Sequence, residues 1–148
     1  LQSSVRASNL AFSPPKMLAI PSDNTEAYIK AIRSELSQNP NLDLIMSIFP
    51  SQREDRYASF KKLLCCQTAI PSQAILTRTI SNVRRLSVVA NRVALQINCK
   101  LGGELWRVSI PIKSVMVIGI DVHHCTVSKA RSSVVGLVSS LNNSLTRY

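Results

Sequence analysis

Between Asn41 and Gly103 the hydrophobic period of the chain switches back and forth, and this alternation restricts what it can fold into. Residues 42–49 (LDLIMSIF) are a short, nearly continuous apolar run ended by Pro50. A run of that length is the pattern of a strand covered on both faces, typical of a parallel sheet. The next segment, RYASFKKLLCC from Arg56, is amphipathic at the helical period, with Phe60, Leu63, Leu64 and Gln67 on one arc. A turn at Ile70-Pro71-Ser72 leads into a strand-like run over 73–78. A second helical pattern, over 87–100, has the stripe Leu86, Val89, Ala90, Val93 and Ile97 and closes on Gly102-Gly103, a pair suited to a left-handed cap. Strand, helix, strand, helix in that order predicts an α/β domain with a mainly parallel sheet.

Each helix carries a polar pair on the border of its apolar stripe. Tyr57 and Lys61 are four residues apart in the first, Gln96 and Lys100 in the second, and residues at that spacing are neighbours on a helix surface. Two helices on one sheet can aim a phenol, two ammoniums and an amide at one spot, and a phosphate fits such a group. The plainer reading of each pair is a solvated helix edge. The charge balance adds weight to the anion: 18 Lys+Arg against 8 Asp+Glu give a formal +10, a surplus suited to a polyanion such as nucleic acid or an anionic surface. The basic residues are scattered and not collected in a tail.

At 148 residues with 45% hydrophobic content, the chain is long enough for one domain with a sizeable core, or one domain plus part of another. No apolar run reaches membrane-spanning length. The N-terminal LQSSVRASN has no initiating Met and no signal-peptide core, and reads as an excised fragment. Residues 1–23 are expected to be a linker or extended arm packed on the domain, with a short strand at 17–20. Asn24 or Thr25 is expected to cap a helix to about Gln38, stopped by Asn39-Pro40. Beyond Gly103, residues 105–110 alternate and predict a strand with Trp106, Val108 and Ile110 on one face. Residues 115–120 (VMVIGI) predict a buried strand ending at Asp121, and 132–141 a further strand, turned out at Asn142-Asn143. Cys65, Cys66, Cys99 and Cys125 form no CxxC motif, which suits free thiols in a reducing compartment.

Other chemical candidates are weaker. Asp121 stands where the first carboxylate of a metal-dependent nuclease sheet often stands, but one carboxylate does not hold a pair of divalent cations, and a loop-capping role is the simpler one. His123, His124 and Cys125 are consecutive, without a partner cluster at ligand spacing, and read as a turn. Gly102-Gly103 lacks the dinucleotide and nucleoside-triphosphate patterns. Trp106 and Phe60 read as core, and Arg92, four residues before Gln96, as a solvated edge. The loop 51–56, made of Ser51, Gln52, Arg53, Glu54, Asp55 and Arg56, follows a strand's C-terminal end, where open α/β sheets hold ligands. Glu54 and Asp55 also suit the first turn of a helix.

The runs RYASFKK, PSQAILTRT, VALQINCKLGGELW and VMVIGIDVHH, collinear over roughly 42–142, strongly resemble the Argonaute family, specifically its Piwi branch. The resemblance implies a Rossmann-like MID domain over 24–113, followed over 114–148 by the opening β-hairpin of a PIWI (RNase H-like) domain. It implies that Tyr57, Lys61, Gln73, Gln96 and Lys100 take the 5′-phosphate and first nucleotide of a small guide RNA of the piRNA type, the tyrosine stacking on the first base. Loop 51–56 would read that base, with uridine preferred. Argonaute relatives usually carry Lys at the position of Gln96, so the resemblance implies a Mg2+ ion bridging guide phosphates there, with a C-terminal carboxylate that lies outside this sequence. Asp121 matches the first catalytic Asp of the RNA-cleaving tetrad, whose other members lie beyond Tyr148, so the chain alone is expected to be inert. The remainder of the PIWI domain is the implied protein partner. A monomeric chain is expected, resident in the cytoplasm, nucleus or germ granules, with no membrane attachment. The alternative is a general polyanion-binding or protein-interaction α/β module.

Overall fold

A computed structural model describes residues 13–124 and 133–148. By internal contacts the chain divides into two units, Leu1–Gly103 and Glu104–Tyr148, a division earlier in the chain than the expected one at 113/114.

In the first unit, helix α1 (Thr25–Gln38) begins where the Asn24 side chain accepts the backbone N–H of Ala27 at 2.7 Å, satisfying one of the unpaired donors of the first turn. Strand β1 (Ile45–Phe49) follows. Helix α2 (Glu54–Lys61) carries Glu54 and Asp55 in its first turn, where the helix dipole favours anions. It widens into a π-helical stretch, Lys62–Gln67. Strand β2 (Ser72–Leu76) lies parallel to β1, with Ile45 opposite Ser72 and Phe49 opposite Leu76. After a single helical turn, α3 (Thr77–Ile80), and a 3-10 turn, Val83–Arg85, comes helix α4 (Leu86–Lys100). The expected parallel α/β order is therefore present, with a sheet of two strands among the described residues.

The period of two along a strand explains how the helices divide between the two faces. Ile45, Phe49, Ala74 and Leu76 face a cluster built on Tyr28, Ile32, Phe60, Leu63 and Leu64 from α1 and α2. Met46 and Ile75 face the other way, onto Val93 and Ile97 of α4. Phe49 is the hub of the larger cluster, meeting Tyr28 and Phe60 edge to face at 5.2 and 5.5 Å between ring centres, the geometry the ring quadrupoles favour. Phe60 and Leu64 are fully buried, each contributing roughly 1.5–3 kcal/mol of burial.

Helix α4 ends in a Schellman turn. Gly103 N–H reaches Asn98 O at 2.8 Å and Gly102 N–H reaches Cys99 O at 3.1 Å, with Gly102 at φ +84°. This is the left-handed cap that the Gly-Gly pair predicts.

The second unit contains the antiparallel hairpin of β3 (Ile118–His124) and β4 (Ser133–Ser139). The register puts Ile118, Ile120 and Val122 on one face with Leu137 and Val135, and all five are exposed.

Several expectations need correction. Residues 17–20 and 105–110 are not strands: no neighbouring strand among the described residues pairs with them, and alternation alone does not make a ladder. Trp106 is 70% exposed and so is not core. The strand expected to be buried and to end at Asp121 is exposed and runs to His124, because pairing continues as far as His124 opposite Ser133; Asp121 sits mid-strand, and His123 and His124 are in the strand instead of a turn. Cys125 lies outside the described residues. The strand over 73–78 is shorter at its end, because Thr77 turns its hydroxyl onto Phe49 O at 3.2 Å and opens α3. Gln67 is exposed and takes a long 3.4 Å bond from Arg33. The loop after β1 is also shorter than 51–56, since α2 starts at Glu54.

Candidate functional site

Ser72 and Gln73, the first two residues of β2, point to opposite faces of the sheet and so meet different helices. Ser72 faces α2: Lys61 Nζ donates to its hydroxyl at 2.8 Å and to its carbonyl at 3.1 Å. Gln73 faces α4: its Oε1 accepts from Lys100 Nζ at 2.7 Å, and its Nε2 donates to Gln96 Oε1 at 3.1 Å. Lys100 Nζ also reaches Ser72 O, at 2.6 Å. Two ammoniums from two helices therefore converge on one carbonyl oxygen. Ser72 and Gln73 are buried, at 3% and 7% exposure. Tyr57, half exposed, lies one helical turn before Lys61 with its ring centre 5.9 Å from the ammonium.

Sharing an acceptor holds the two charges within about 6 Å, where they repel by about 0.7 kcal/mol in water and about 3 kcal/mol at the effective dielectric of a partly covered site. Among the described residues no carboxylate forms an ion pair with either lysine. Lys100 registers the strain. Although the residue as a whole is exposed, its ammonium is tucked against Ser72 and Gln73, and burial first, then repulsion from Lys61, hold its pKa below the usual lysine value, with the Cys65 thiol pulling the other way. Partly desolvated cations with no ion-paired carboxylate among the described residues, beside amide and hydroxyl groups, are chemically able to receive an oxyanion.

Tyr57 also lines a second feature, a cavity of about 540 Å3 beyond the C-terminal ends of β1 and β2. Ser51, Gln52, Arg53 and Glu54 form part of its wall, opposite Ala74 and Arg78. Arg78 Nη2 donates to Gln52 Oε1 at 3.0 Å, tying the loop to α3. A ring set between a cationic cluster and a cavity at the carboxyl ends of parallel strands can serve both. The other two members of the expected loop point elsewhere. Asp55 is bound by Arg53 and Thr25, which hold its carboxyl below the usual range. Arg56 is 1% exposed, stacked on Phe49 and Tyr28 and paired with Asp23.

The expected site residues thus fall into three groups. Lys61, Gln73, Gln96 and Lys100 meet, with Tyr57 at their edge. Ser51, Gln52, Arg53 and Glu54 border the cavity next to them. Asp121 belongs to the second unit, exposed, with its carboxylate accepting from Val122 N–H at 2.9 Å. Ser72 is the member that sequence reasoning missed. Its part is played by a backbone carbonyl and a short hydroxyl, and the only signal was its place beside Gln73 at a strand start. For Mg2+ the donor set does not fit: Gln96 offers a neutral oxygen already accepting from Gln73, two ammoniums stand nearby, and no group of three or more His, Cys, Asp or Glu gathers among the described residues.

No described helix is long and apolar enough to cross a membrane. A model of the Piwi domain family matches residues 44–148. Piwi-like protein 1 of Gallus gallus is 41% identical over 126 residues, 85% of this chain and 14% of its own length. Protein argonaute-3 of Drosophila melanogaster is 40% identical over 136 residues, covering 92% of this chain and 15% of its own length. The chain thus spans about a seventh of these relatives. Among solved structures, Drosophila Piwi superposes with a TM-score of 0.76 at 24% identity, over 93% of this chain and 22% of its own. The MID-PIWI domains of N. crassa QDE-2 AGO give 0.73 at 19%, over 97% and 42%. The chain belongs to the Piwi branch of the Argonaute family, and its α/β fold matches that of Argonaute MID-PIWI structures.

Proposed function

We propose that this chain grips the 5′-phosphate and first nucleotide of a small guide RNA, as the guide-holding part of an RNA-silencing protein. The observation that carries the reading is the convergence of Lys61 and Lys100 on one carbonyl oxygen, with no ion-paired carboxylate among the described residues. A terminal phosphate offers both ammoniums charged acceptors in place of neutral ones, relieving their repulsion, while the amides of Gln73 and Gln96 supply further donors. The ring of Tyr57 then stacks on the first base, and the loop backbone at 51–53 reads its edge in the adjoining cavity, with uridine favoured. In the whole protein, Asp121 is the first carboxylate of a metal-dependent RNA-cleaving site. Alone it does not hold a cation pair, so this chain binds and does not cut. Cytoplasm, nucleus and germ granules all suit such a protein.

The test is affinity for one short RNA with and without its 5′-phosphate. Charge-assisted hydrogen bonds contribute about 1.5–3 kcal/mol each, so Lys61→Ala and Lys100→Ala should each weaken binding of the phosphorylated RNA roughly 10- to 100-fold, with little change for the 5′-hydroxyl form. Equal losses on both RNAs would point instead to a general polyanion surface.

A further inference from the structure

The loop at the cavity wall is held from behind by a device that the phosphate-binding reading does not use. Arg56, fully inside the unit, donates through Nη1 to Asp23 Oδ1 and through Nη2 to the carbonyl of Ser51. Its guanidinium lies 4.7 Å from the ring centre of Phe49, the last residue of β1, and 5.5 Å from that of Tyr28. Asp23, just before α1, also grips the loop directly. Its backbone carbonyl accepts from Arg53 Nη1 at 3.2 Å, and its Oδ2 accepts a long 3.4 Å bond from the Ser51 hydroxyl. Thr25 and Arg53 then share the carboxylate of Asp55, at 2.9 and 2.7 Å.

Two loop residues that border the cavity, Ser51 and Arg53, are thus pinned by Asp23 and Arg56, neither of which borders it. A buried guanidinium with an unpaired Nε is a costly way to fill a core. Its fork, however, fixes a carbonyl and a carboxylate in one plane, which an apolar side chain would not do. From this geometry we infer that Asp23 and Arg56 are positioning residues for base recognition, setting the loop backbone at 51–53 without touching the nucleotide. The inference rests on the reading of the cavity as the first-nucleotide pocket. It separates two properties of one site: the phosphate is gripped by Lys61 and Lys100 around Ser72, and the base is read by a loop aligned from the segment before α1.

The experiment titrates the 148-residue chain with inorganic phosphate, uridine 5′-monophosphate and adenosine 5′-monophosphate, following backbone amide shifts. Asp23→Asn keeps the shape and removes the charge. Arg56→Lys keeps the charge and removes the fork, and serves if the first variant does not fold. Both should leave inorganic phosphate affinity within about twofold, while the uridine-over-adenosine ratio falls about three- to tenfold as loop hydrogen bonds lose their alignment. The amides of residues 51–53 should shift in the free variants while those of Ser72 and Gln73 stay in place. Parallel loss of phosphate and nucleotide affinity would make the pair merely structural and overturn the inference, as would an unchanged base ratio. A wild-type chain that binds both nucleotides no better than inorganic phosphate would overturn the pocket reading itself. Loss of inorganic phosphate binding in the wild type would overturn the phosphate site.

Discussion

Lys100 carries a titration that follows from its surroundings. Its folded pKa is depressed below 10.5, so between the depressed value and 10.5 the unfolded chain holds a proton that the folded chain has released. Stability therefore gains with rising pH across that window, through this group alone. A bound phosphate reverses the balance, because it favours the ammonium, and binding in the window takes up protons. Affinity for uridine 5′-monophosphate should rise through about pH 6, where the phosphate gains its second charge, and decline below the ordinary lysine range. Calorimetry in buffers of different ionisation enthalpy measures the uptake, which Lys100→Met should abolish. The pairs Tyr57/Lys61 and Gln96/Lys100 were legible because helical spacing is a property of the string of residues. Ser72 was not, since a backbone carbonyl has no residue type. Arg56 was grouped with the base-reading loop because SQREDR looks like a charged loop, and nothing local says that one of its arginines turns inward to meet Asp23.

The elements were legible where periodicity is local and lost where a partner decides. The cap of α4 is a local case. Gly102 has φ +84° and nothing within 4 Å of a Cβ placed there, so Gly102→Ala costs only backbone strain. At about 1–2 kcal/mol it should lower Tm by a few degrees, roughly 2–4 °C per kcal/mol in a chain of this size. Gly103 differs in kind: a Cβ there would lie 2.1 Å from Asn98 Oδ1, so the Asn98 side chain must swing away. Thermal melts of the two alanine variants, followed by circular dichroism, separate these causes, and an unchanged Tm for Gly102→Ala would remove the left-handed cap from the account. Residues 105–110 are the opposite case. Their alternation is as regular as that of many strands, yet a ladder needs a second chain segment alongside, and hydrophobic period does not reveal whether one is there. The widening of α2 into π-helical turns is likewise unmarked in KLLCCQ, although its Leu63 and Leu64 join the cluster around Phe49.

Among the described residues, every buried apolar side chain lies in the first unit. A chain ended at Gly103 should therefore fold cooperatively and bind uridine 5′-monophosphate within about threefold of the 148-residue chain, since a domain needs its own core and little else. Calorimetry on both chains tests this, and a non-cooperative melt of the shorter one would refute it. The hairpin of the second unit has a different prospect. Ile118, Ile120, Val122, Val135 and Leu137 make one apolar face that stays in water, a recipe for colloidal instability. What opposes clumping is mutual repulsion between copies, each carrying a formal +10. That repulsion has a range of about 30 Å at 0.01 M salt and about 8 Å at 0.15 M, so the chain should stay dispersed in dilute buffer and cluster as salt rises. Light scattering against sodium chloride reads the onset, and Ile120→Lys should push it to higher salt by charging the sticky face.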